Sequence, residues 1–133
     1  MTNLLTVLVA AIAATVIGAL WYGPLFGKKW MALSKIQKKD VVAMKKNAGQ
    51  SYAIMFVGTL VTAFVLSQFI DWTDSLSAGL GALVGFWAWL GFIATTTLGS
   101  VLWEGKPWSL WVLNASYQLV SALTMGVILG VWV

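Results

Sequence analysis

LLTVLVAAIAATVIGALWYGPLFGKKW, residues 4–30, decides the fold. Residues 4–22 carry no charge, and at about 1.5 Å of rise per helical residue they reach across a hydrocarbon layer about 30 Å thick. The run closes on Trp21 and Tyr22, an aromatic pair of the kind that settles at headgroup level. Gly23-Pro24 is expected to stop the helix, because proline has no N–H to continue the ladder. Lys28 and Lys29 then meet anionic headgroups, while Phe26, Gly27 and Trp30 return the chain to the interfacial layer. The stretch therefore reads as the end of a first span followed by a membrane-surface re-entry. It does not read as a phosphate cradle, which needs Gly-Lys-Ser/Thr opening a helix after a strand. Only Thr2 and Asn3 separate Met1 from the apolar run, so a cleaved leader, which wants positive charge before a shorter core, is the weaker reading.

Composition points to the same solvent. The 133 residues are 60% hydrophobic and 9% charged, with a mean hydropathy of +0.88, whereas a soluble domain is near half apolar and a quarter charged. Cysteine and histidine are absent. That removes the thiol nucleophile, disulfides, the usual zinc and haem ligands and the side chain that titrates near neutrality. No metal site, cofactor or enzymatic activity is expected.

Working outward, residues 51–70, 76–103 and 108–133 form three further spans, joined by the turn DWTDS and by EGKP, whose glycine and proline close a helix. Residues 23–50 form the basic connection. Seven lysines, Lys28, Lys29, Lys35, Lys38, Lys39, Lys45 and Lys46, stand there against Asp40, while Lys106 faces Asp71, Asp74 and Glu104 in the remainder. Lysines flanking short loops are retained on the cytoplasmic side. This threading puts residues 23–50 and EGKP inside, and DWTDS and both termini outside. Ser34 and Gly49 bracket a short surface helix, moderately amphipathic, with Val41, Met44 and Ala48 in one row. Lys28, Lys29, Lys38, Lys39, Lys45 and Lys46 are the candidate lipid-headgroup contacts. Nucleic acid is not an expected partner, since arginine is absent and no aromatic platform is interleaved.

Most of the nine tryptophans fall at span ends, as an aromatic belt requires. Trp87 and Trp89 lie mid-span about 200° apart, so at most one faces the interior. The fourth span carries the most informative polar pattern. Asn114, Tyr117, Gln118, Ser121 and Thr124 recur on one helical face, with Ala115, Ala122, Gly126 and Gly130 alongside. An amide stripe is poorly tolerated by lipid, so this face is expected inward, either as interhelical hydrogen bonding or as a polar track. Thr95, Thr96, Thr97 and Ser100 can bond to their own helix or across to Asn114 and Gln118. The small residues Gly81, Gly85, Ala88, Thr95 and Gly99, with Ala10, Ala14 and Gly18, allow close backbone approach and, being more than four helices obviously use, suggest a homo-oligomer. No charge lies deep in any span, which disfavours proton-coupled export through a membrane carboxylate.

LWYGPLFGKKW, followed by GFIATTTLGSVLWEGKPWSLWVLNASYQLVSALTMG, resembles the bacterial membrane-protein family known as domain of unknown function 1761, over essentially the whole chain. The resemblance rests on Trp-Tyr-x-Pro, then Phe-Gly-x-x-Trp, and on Asn-x-x-Tyr, here Asn114 and Tyr117. It implies a small multi-span protein of unestablished activity. Gln118 stands where a histidine is expected after that tyrosine, which weighs against proton handling. The sequence thus predicts a single-domain, all-α integral membrane protein of residues 1–133, a four-transmembrane-helix bundle with a short surface helix between spans 1 and 2. A structural or accessory role in the cytoplasmic membrane is expected; the alternative is a channel or carrier for a small polar solute or ion along span 4.

Overall fold

A backbone in hydrocarbon must satisfy its own N–H and C=O groups, and a helix does so within one segment. The computed structural model, which describes residues 3–34, 46 and 48–132, follows that constraint. α1 (Leu4–Leu20) starts at Asn3, whose side chain accepts the Leu5 N–H at 3.0 Å. It runs on through a π-helical turn, Trp21–Leu25, and α2 (Gly27–Ser34) follows. α3 (Ala48–Trp72) leads through a tight turn into α4 (Ala78–Trp89), capped by the Ser77 side chain on the Leu80 N–H at 3.1 Å. The helix then passes through a π segment, Leu90–Ala94, and a 3-10 turn, Thr96–Leu98, into α5 (Gly99–Leu102). α6 (Trp108–Val131) begins directly behind Pro107, where the missing N–H costs nothing.

Four segments, Leu4–Leu25, Ala48–Trp72, Ala78–Leu102 and Trp108–Val131, are long and apolar enough to cross a membrane, and this is the four-helix architecture read from the sequence. The details shift at the ends. Asp71 and Trp72 belong to α3, and the turn proper is Thr73–Ser77, with Asp74 at φ 54°. The connecting helix observed is Gly27–Ser34; the surface helix expected from Ser34 to Gly49 falls almost wholly outside the described residues.

α6 is the central element. It lies antiparallel to α1, since Thr6 donates to the Trp132 carbonyl at 3.3 Å while Trp21 reaches the Leu113 carbonyl at the opposite end. It is also antiparallel to α4, against which its backbone lies in direct contact. A Cβ added to Gly81 would fall onto the Gly126 carbonyl, one on Gly85 onto the Ala122 carbonyl, and one on Gly130 onto the Ser77 carbonyl. The interior is correspondingly small: Ala10, Ala11, Ala14 and Ala63 are buried with Leu66, Ile70, Met125 and Leu129. Larger residues such as Leu5, Val16, Val57, Phe92 and Trp103 stand outward. Lipid rewards no burial of leucine, so close approach through small side chains is what holds such helices together.

Candidate functional site

The site is a cluster of aromatic and amide groups where the π turn after α1 meets α6. In that turn the Phe26 N–H reaches back to the Trp21 carbonyl at 2.9 Å, one residue farther than in an α-helix. Gly23 leaves helical dihedrals (φ −106°, ψ −107°) and Pro24 sits inside the turn. The regular helix is thus broken at Gly23-Pro24, where the sequence places its stop. Pro24 has no N–H to offer the Leu20 carbonyl, and the chain kinks there. Gly27 is needed at the exit, where a Cβ would lie 2.6 Å from the Tyr22 carbonyl. The Trp30 N–H then bonds the Phe26 carbonyl at 2.8 Å and starts α2.

Trp21 and Tyr22 lie before the break and continue the face of α1 that carries Ala14 and Gly18, so they meet α6. The Tyr22 hydroxyl donates to Asn114 Oδ1 at 2.7 Å and the Trp21 Nε1–H to the Leu113 carbonyl at 3.1 Å. Tyr22 packs edge-on to Tyr117 at 5.3 Å and to Trp30 at 5.6 Å, and Trp21 sits 4.8 Å from Phe26. Tyr117 crosses to α1, its hydroxyl 3.5 Å from the Ala14 carbonyl. Gly18 makes room for it; a Cβ there would lie 2.9 Å from the Tyr117 oxygen. Read singly, Trp21 and Tyr22 are interfacial anchors; in the fold they also fasten one helix to another. The only sequence signal for this was the spacing Asn-x-x-Tyr, which places both α6 partners on one face.

The remaining polar residues do not join this cluster. Ser121 is buried and Thr124 partly buried, but Gln118 is exposed, which corrects the expectation of one wholly inward polar face. Gln118 opens onto a lateral groove of ≈ 460 Å³ shared with α3 and α4. Thr95 and Thr96 are also exposed and donate to their own helix, to the Gly91 carbonyl at 2.9 Å and the Phe92 carbonyl at 2.7 Å. They do not bond across to Asn114 or Gln118, because the carbonyl four residues back is always within reach of a helical threonine. Thr97 alone of the three receives a bond from the last span, from Trp111 Nε1 at 3.0 Å. Of the mid-span pair, Trp89 turns in and donates to the Ala115 carbonyl at 2.9 Å, and Trp87 turns out. Lys28, Lys29 and Lys46 are exposed; Lys38, Lys39 and Lys45 lie outside the described residues.

Chemically, the arrangement joins helices. Trp21, Trp89 and Tyr22 each bring an N–H or O–H to an acceptor on consecutive residues of α6, Leu113, Asn114 and Ala115. A buried tryptophan or tyrosine needs a partner for its polar atom, and a helix carbonyl keeps a second lone pair to offer. Two stretches far apart in the chain, 21–30 and 114–117, thus form one structural unit, and they are the stretches on which the family resemblance rests. No curated protein and no solved structure matches the chain. A family model does match, over residues 5–130, and with nearly the full length covered the chain belongs to the family described as Protein of unknown function (DUF1761).

Proposed function

We propose that this protein is a structural or accessory component of the cytoplasmic membrane and not an enzyme. The observation that carries this reading is the use of Asn114 and its neighbours: the polar groups of the motif residues are engaged in bonds between helices. A polar track would need Asn114, Gln118, Thr95 and Thr96 around one wet space, whereas these residues divide between the α1 contact, a lateral apolar groove and their own helix backbone. The lysine-rich connection faces the cytoplasm and the anionic headgroups there, both termini lie outside, and the terminal tryptophans form the aromatic belt. The protein works as a homo-oligomer.

Reconstituted vesicles test the reading. Asn114→Ala is expected to lower stability while leaving the permeability of the vesicles to ions and small polar solutes at the protein-free level. Solute flux through the wild-type protein that Asn114→Ala or Thr96→Val abolishes would establish the channel or carrier instead. Reporter fusions that find the C-terminus in the cytoplasm would overturn the orientation.

A further inference from the structure

Gln118 sits near the midpoint of α6, where a bilayer offers neither water nor lipid carbonyls. Among the described residues its amide has no hydrogen-bond partner, and it faces the groove of ≈ 460 Å³ between α3, α4 and α6. The other polar side chain lining that groove, Thr62, already donates to the Gly58 carbonyl at 3.0 Å. Everything else around Gln118 is apolar or aromatic, Trp89 and Phe92 included, and no charged residue lines the space. An amide left without partners in hydrocarbon is costly. What covers it must bring both a donor and an acceptor to that depth.

We propose that the occupant is a second copy of this chain, packed groove to groove with the two Gln118 amides paired. The inference rests on the homo-oligomer reading above and gives it a surface. Copies inserted in the same orientation are related by rotation about the membrane normal, so each residue meets its counterpart at its own depth. A primary amide is self-complementary, carrying donors and an acceptor, so Gln118 meeting Gln118 closes two bonds that no acyl chain supplies. The shape also suits an isologous contact. Val61 on α3 and Phe92 in the π segment after α4 line the groove and are themselves 57% and 67% exposed, which gives each copy apolar side chains to offer as well as a hollow.

The chain contains no cysteine, so single added thiols report without background. In vesicles, oxidation by copper–phenanthroline is expected to trap dimers of Val65→Cys, in the groove with Gln118 intact, about tenfold more than dimers of Val16→Cys, whose site is exposed on α1. By energy transfer between labelled copies, Gln118→Leu is expected to weaken association about eightfold, and Gln118→Asn to restore part of it. Energy transfer that shows only monomers overturns both the oligomer and this interface. Oligomers whose Val65→Cys form traps no better than Val16→Cys overturn the interface alone. A small uncharged amphiphile found bound to monomers by native mass spectrometry, and lost in Gln118→Leu, likewise overturns it and assigns the groove to a ligand.

Discussion

Replacing Tyr22 by phenylalanine removes one oxygen and leaves the rings where they are, so it isolates the bond that joins the π turn to α6. Both partners are neutral and partly buried, and 2.7 Å is an ordinary length for O–H···O. Interhelical bonds in a membrane protein average about 0.6 kcal/mol and reach about 1.7. This short bond between residues 92 apart in sequence should lie in the upper half of that range, about 1 kcal/mol. The edge-on contacts of Tyr22 with Tyr117 and Trp30 survive in Tyr22→Phe, so the single variant loses about 1–2 kcal/mol, the bond plus the penalty of an unpaired Asn114 oxygen. Asn114→Leu strands the hydroxyl in the same way. The double variant strands neither, and its loss should fall short of the sum by about 1 kcal/mol, close to a fivefold factor in the folding equilibrium. Unfolding in mixed micelles with rising detergent denaturant, followed by the emission of the nine tryptophans, measures all four corners. Strictly additive losses would refute the claim that these two motifs are coupled through this bond.

Two further outcomes follow from the geometry. Gly85→Ala, whose methyl falls onto the Ala122 carbonyl, should force α4 and α6 apart and cost about 1–3 kcal/mol, whereas Gly58→Ala, which meets nothing within 4 Å, should change the same unfolding midpoint little and in the stabilising direction. Thr96→Val removes a hydroxyl that is exposed and bonded only within its own helix, so its unfolding free energy should stay within about 0.5 kcal/mol of wild type; a larger loss would mean that Thr96 has an interhelical partner.

The spans were legible because each is autonomous in lipid. A run of apolar residues long enough to cross has no other way to satisfy its backbone, so hydropathy and length alone located Leu4–Leu25, Ala48–Trp72, Ala78–Leu102 and Trp108–Val131 to within a few residues. The small residues of α4 and α6 could likewise be named beforehand, as could the face shared by Asn114 and Tyr117. Tertiary structure alone decided how each helix is rotated and which partner each polar group finds. The Gly-Pro read as a stop does break the helical path, but that Tyr22, just before it, bonds Asn114 of α6 could not be read from the sequence. Thr95 and Thr96, for which bonding within the helix and across it were both open, bond their own carbonyls, and Gln118, read as inward, opens onto the groove. The reason is physical. Lipid favours every apolar face of a helix almost equally, so rotation is set by backbone contact and a few hydrogen bonds, such as Gly81 against Gly126 and Trp21 against Leu113, whose partners lie scores of residues away.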